Sequence, residues 1–271
     1  MTGKTILITG GTDGIGKATA LQLAKPDDTV LIIGRNAEKG RRAQQAIAEK
    51  TGATVIFKAV DMSLMSEVQS FANEVLTTYP KLDYLVHCAG VIMPTPIITK
   101  EGLELVFATQ YLSRYCLTQL LLPALNKSGK VLFVSGGNVT DGSVNYDALN
   151  NEETFGMYTT VLNTSKAQSL YTLILMSEHP KLGVYNYGPG IVNTSLTRNM
   201  SGIRGLLAKI AGHFIAVSPE QAGLEVAKLL TGAYQSGWYK KDLKNQPANN
   251  EAFIAEQSEL KQFSDSLLHF R

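Results

Sequence analysis

Cysteine is nearly missing from this chain: Cys88 and Cys116 are the only two, and they show no C-x-x-C spacing. That excludes a disulfide framework and a cysteine-based zinc site, and no metal site is expected. An excess of charge of one sign is missing as well. The 25 Lys and Arg against 23 Asp and Glu leave a net charge of +2. With no dense basic run, nothing argues for nucleic acid or an anionic membrane surface as partner. No window reaches the roughly 18 apolar residues of a spanning helix. The start, "MTGKTILITGG", has no basic leader, long apolar stretch or cleavage site, so a cytoplasmic protein without a membrane anchor is expected. Asn138, Asn163, Asn193 and Asn199 head N-x-S/T triplets, read as chance matches without a secretion signal. No Pro- or Gly-rich linker and no repeat divides the chain, so residues 1–271 read as a single domain.

What is present is alternation. Short β-branched runs, "TILIT" (5–9), "TVLII" (29–33), "TVIFKAV" (54–60), "YLVH" (84–87), "KVLFVS" (130–135) and "GVYNYG" (183–188), are separated by segments of helical period. Helices are expected over 15–24, 38–50, 64–79, about 103–125 and 161–178, and a seventh strand at "GWYK" (237–240). Continuous apolar strands divided by helices predict an α/β fold: a doubly wound, Rossmann-type parallel sheet of about seven strands with helices on both faces. The tail, 248–271, reads as an exposed helix available to cover an edge or a partner.

Directly after the first strand comes "TGGTDGIG", Thr9 to Gly16, opening a helix. Gly10 permits the tight turn, Gly14 admits a pyrophosphate to the backbone, and Gly16 lets helix and strand pack closely. The helix start then offers N–H groups and partial positive charge to phosphates. Its place between first strand and first helix raises it above an ordinary glycine turn. An NAD site wants a carboxylate at the end of the second strand, where this chain has Gly34 and Arg35. A guanidinium there suits the extra phosphate of NADP(H), against the alternative of a solvated Arg at a helix start. Asp61, after the third strand, either accepts from an adenine amino group or caps the next helix.

These residues resemble the short-chain dehydrogenase/reductase family. "TGGTDGIG" has its T-G-x-x-x-G-x-G spacing, and "DMS" (61–63), "HCAG" (87–90) and "YGPG" (187–190) fall where it carries D-x-S, N-N-A-G and P-G. "HCAGVIMP", "FATQYLSRYCLT" and "LNNEETFGMYTTVLNTSK" resemble the branch of retinol dehydrogenases, protochlorophyllide reductase and WW-domain oxidoreductases. The resemblance implies an NADP(H) site built from Gly10, Thr12, Asp13, Gly14, Ile15, Gly16, Arg35, Asp61, Met62, Ala89, Gly90, Lys166, Pro189, Gly190, Val192 and Thr194. It also implies a substrate lid over 195–217, whose Leu, Ile and Phe content fits a lipophilic small molecule.

The family's chemistry uses Tyr, Lys, Ser and Asn. Carried over position by position, Lys166 in "NTSK" is the lysine, but Leu162 stands for the Tyr, Gly136 for the Ser and Gln110 for the Asn. Leucine has no proton to give. Catalytic candidates are therefore Lys166, Gln110 and Tyr158. Were the helix already formed at 158, about 100° per residue would turn Tyr158 roughly 80° away from Lys166 and two turns distant. Were 158–161 a loop, its hydroxyl could fold into the gap. Ser135 is expected on the opposite face from Gly136. Arg114 is expected at an oligomer interface, since the family often associates through that helix, and a homo-oligomer is one expected partner. His87 and Cys88 read as core or strand-end residues. Three functions follow: a reductase of a lipophilic carbonyl or activated alkene, a cyclase or isomerase without net redox, and a cofactor-binding module without turnover.

Overall fold

The computed structural model describes residues 3–135, 143–190, 217–246 and 256–268. Gly136, Val192, Thr194, the lid positions 195–216 and parts of the tail lie outside the described residues.

Eight strands form one sheet: β1 (Thr5–Thr9), β2 (Thr29–Gly34), β3 (Thr54–Ala59), β4 (Leu82–His87), β5 (Leu125–Val134), β6 (Gly183–Gly188), β7 (Gly237–Lys240) and β8 (Lys244–Gln246). Their order is β3-β2-β1-β4-β5-β6-β7-β8, parallel throughout except for the final β7–β8 pair. The expected seven strands are all present, and an eighth is added at the edge. "KNQ" is short and polar, so hydrophobic patterning has nothing to detect in it.

Strand alternation divides the core. Leu7, Leu31, Leu85, Val131 and Phe133 meet α3 (Met65–Thr78), α5 (Ser113–Leu121) and α6 (Met157–Glu178) on one face. Ile6, Ile8, Val30, Ile32 and Leu132 meet α1 (Gly14–Leu23), α2 (Ala37–Thr51) and α7 (Pro219–Thr231) on the other. With both faces covered, the strands must be apolar at every position, which is why they read as runs. Chain order reverses between β1 and β4, and ligands of such sheets bind where the carboxyl ends of those strands part.

Two helices differ from expectation. The segment expected as one helix over 103–125 is a short turn α4 (Leu105–Phe107), a π-helical stretch Ala108–Leu112, α5, and a 3₁₀ turn Leu122–Ala124. Ser113 Oγ donates to the Thr109 carbonyl at 2.9 Å, drawing the ladder off register, and Pro123 has no N–H to continue it. The other, α6, begins at Met157, four residues before the expected start. The tail helix α8 (Gln257–Leu268) buries one side, Leu260, Ser264 and Leu268, against the α5–α6 layer, where Tyr111 Oη and Ser264 Oγ lie 2.8 Å apart. It covers a face rather than standing exposed. No helix among the described residues is long and apolar enough to cross a membrane.

Candidate active site

Gly10 leaves β1 at φ +64°, and a Cβ there would sit 2.8 Å from the Ala89 nitrogen. Only a bare backbone lets the first loop touch the loop after β4, closing the floor of the switch point. Thr9 Oγ1 accepts from the Cys88 and Ala89 N–H groups, both at 3.1 Å, and fixes the same junction. Asp13 caps α1, its Oδ1 accepting from Gly14 N at 2.9 Å, and its Oδ2 holds Lys39 Nζ at 3.1 Å. The first intrahelical bond is Lys17 N–H to Asp13 O, so the Ile15 and Gly16 N–H groups face the open end of the helix. A Cβ on Gly16 would lie 2.4 Å from Gly10 O. This bare-backbone cradle at a helix N-terminus fits a pyrophosphate, as the glycine spacing predicts. Thr12 lies beneath Gly34, whose missing Cβ would come within 2.9 Å of it.

At the end of β2 the Arg35 side chain is 57% exposed, with NH1 4.0 Å from Asp61 Oδ2. Asp61 does not cap α3. Its Oδ1 accepts from Ser63 N and Oγ at 2.9 and 2.8 Å, and its own N–H donates to Glu67. The α3 cap comes instead from Glu101, which accepts from the Met65 and Ser66 N–H groups across 36 and 35 residues of chain. Asp61 Oδ2 and Arg35 thus remain together at the rim of the crevice. The Met62 side chain is buried beneath them.

Lys166 and Leu162 lie one turn apart on the same side of α6, Leu162 half-exposed at 50%. Among the described residues the Lys166 ammonium makes one long hydrogen bond, to Ser143 O at 3.4 Å. Gln110 sits in the π-helical stretch and donates Nε2 to Val91 O at 3.0 Å, while its Oε1 backs Gly90. It braces the loop after β4. Tyr158 is already helical and 70% exposed, so the loop that would fold its hydroxyl toward Lys166 does not form. Pro189 is buried after β6 and Gly190 turns at φ +78°. Ser135 follows Phe133 onto the α6 face and donates to Asn186 Oδ1 at 2.7 Å.

Beneath this surface, His87 stacks on Phe133 with ring centroids 5.0 Å apart, its Nε2 3.0 Å from Thr118 Oγ1. Burial holds its pKa well below the ordinary 6.5, and the charge of Arg114 lowers it further. Above pH 6.5 the ring is neutral in both folded and unfolded chains. Below it, the unfolded chain takes a proton that the buried ring refuses, and stability falls by up to about 1.4 kcal/mol per pH unit. His87→Gln is expected to remove that slope in urea unfolding between about pH 7.5 and 5. An unchanged slope would assign the acid sensitivity to other groups.

Arg114 corrects its expected interface role. It is 2% exposed, with NH2 donating to Ala89 O at 2.7 Å. Its spacing one turn after Gln110 was legible; its inward aim was not, because arginine normally marks a surface.

A doubly wound parallel sheet with a bare glycine loop at its switch point has the form of a dinucleotide-binding fold. The model of the short chain dehydrogenase family matches residues 4–149, and the chain belongs to that family. An uncharacterized oxidoreductase of Schizosaccharomyces pombe is 29% identical, over 94% of this chain and 83% of that protein. Retinol dehydrogenase 14 of Mus musculus is 30% identical over 74% of this chain and 64% of its own length, which places the chain near the retinol dehydrogenase branch. A metagenomic short-chain oxidoreductase solved with NADP superposes with a TM-score of 0.63 at 21% identity, over 89% of this chain and 98% of its own.

Proposed function

We propose that this chain is an NADP(H)-binding oxidoreductase acting on a lipophilic small-molecule carbonyl or activated alkene, with an atypical proton-transfer site. The observation that carries the reading is the bare cradle Gly10–Gly16 with Arg35 at its rim. The retinol dehydrogenase relative supports a lipophilic substrate, and the NADP in the structural neighbour supports the cofactor. Phosphates would lie on the Ile15 and Gly16 N–H groups and the extra phosphate on Arg35, with Asp61 and Met62 beside the adenine. Ala89, Gly90, Lys166, Pro189, Gly190, Val192 and Thr194 would complete the site. The bound nicotinamide would supply hydride. Lys166, with no tyrosine one turn before it, would grip the ribose. Gln110 would hold the Val91 carbonyl and so the floor of the substrate side. The substrate anion would take its proton from water, which suits an activated alkene because its anion is already stabilised.

The direct test is NADPH consumption with a panel of ketones and enones, alongside titration with NADPH and NADH. Arg35→Ala is expected to weaken NADPH about 10- to 150-fold, the worth of one charged hydrogen bond, and to leave NADH unchanged. Equal losses for both cofactors would sink the assignment of Arg35. The half-exposed Leu162 favours one second reading, a module that binds the cofactor without turnover. Binding of NADPH without consumption across the panel would select it.

A further inference from the structure

Arg114 is a buried cation whose charge no side chain among the described residues answers. Its NH2 has the Ala89 carbonyl, a neutral acceptor, and its Nε has no partner among the described residues. None of the ion pairs among the described residues includes it. The charge-bearing group that acts on it is Cys88, whose thiol burial pushes up to about 12 and so leaves neutral. Burial lowers Arg114 itself to about 10, which still leaves it protonated at neutral pH. An unanswered charge taken out of water is among the costliest groups a fold can carry.

Beside Arg114 lies a cavity of about 10 Å³, lined by Gln110, Arg114, Ser135, Thr164, Ser165 and Gln168. Thr164 and Gln168 are 2% and 1% exposed, and Thr164 Oγ1 and both amide atoms of Gln168, Nε2 and Oε1, have no partner among the described residues. Thus a guanidinium N–H, a hydroxyl and an amide N–H, all more than nine-tenths buried, line one small space with no acid among its lining residues. These three are donors for an anion, with the Gln168 carbonyl oxygen as an acceptor on the same side chain. Space of this size takes one water-sized body and no carboxylate or phosphate.

We propose that this cavity is a halide site, holding one chloride on Arg114, Thr164 Oγ1 and Gln168 Nε2. The anion neutralises the guanidinium beside the Ala89 carbonyl and ties α5 to α6. Water would satisfy the polar atoms but leave the charge, so chloride and water give different results. The proposal stands whether or not the chain turns over a substrate.

The test is the thermal midpoint of the full chain in chloride against gluconate, at equal ionic strength and pH. A ligand of the folded state raises it with concentration, by about 5–10 °C at a hundredfold excess over Kd for a chain of this size. The rise is expected to vanish in Gln168→Leu with Thr164→Val, which keeps Arg114, and in Arg114→Gln if that variant folds. A bromide-soaked crystal is expected to show anomalous density within hydrogen-bonding reach of Arg114 Nε. Equal midpoints in the two salts would overturn the proposal, as would a chloride response that persists in the double variant, or water at that position in bromide. A rise common to wild type and variants would be a general salt effect.

Discussion

Leu162→Tyr is expected to speed ketone reduction by about 10²- to 10⁴-fold, the usual worth of a positioned general acid. Position 162 is one helical turn before Lys166 and on the same side of α6, so the phenol and the ammonium become neighbours. Leu162 is half-exposed, so the larger ring enters without crowding a packed core. Among the described residues Lys166 Nζ has a single 3.4 Å bond, to Ser143 O, and can turn toward the new hydroxyl. An adjacent cation lowers a phenol from its ordinary value of about 10 and stabilises the phenolate left when its proton goes to the substrate oxygen. The gain belongs in kcat, with KM little changed, because the acid acts only as charge develops. Adding Gly136→Ser should increase it further, by orienting the same oxygen. Tyr158→Phe in the wild type is expected to change nothing, since that ring is 70% exposed on the helix surface. A Leu162→Tyr protein that binds NADPH yet gains less than about tenfold would show that more than the acid is missing.

What the sequence could and could not reveal follows one physical line. The cradle was legible because each glycine answers a steric demand of its own neighbourhood: the turn at Gly10, the contact of Gly16 with Gly10 O. The strands were legible because burial on both faces removes polar residues from the run. Features decided by distant chain were not. Glu101 caps α3 from more than 30 residues away, so the local pattern pointed to Asp61 instead. The start of α6 depends on how the chain before it packs, and an early start is what places Tyr158 outside the gap. Arg114 carries the charge of a surface residue, yet it turns inward to the Ala89 carbonyl. The substitutions at 110, 136 and 162 were visible by resemblance, but only geometry shows Gln110 bracing Val91 and Leu162 facing outward.

Gly16→Val is the change expected to remove cofactor binding altogether. A Cβ at position 16 would meet Gly10 O at 2.4 Å, and that oxygen is backbone, so no side chain can swing aside. Either the start of α1 lifts off the loop or the loop shifts against Ala89, which Gly10 already approaches within the reach of a Cβ. Overpacking of this kind costs about 1–3 kcal/mol of stability, which a fold of this size survives. Binding is hit harder, because the displaced groups are the N–H donors proposed to hold the phosphates. Loss of two charged hydrogen bonds at about 1.5–3 kcal/mol each lowers NADPH affinity by more than about 100-fold. Gly52→Ala separates the two effects. Gly52 ends α2 at φ +71°, far from the cradle, so alanine there costs about 1 kcal/mol of strain and should leave affinity untouched. Binding and unfolding of both variants, measured by calorimetry and urea titration, therefore give opposite patterns. If Gly16→Val binds NADPH like the wild type, the phosphates lie elsewhere, and the case for a nicotinamide enzyme loses its footing with them.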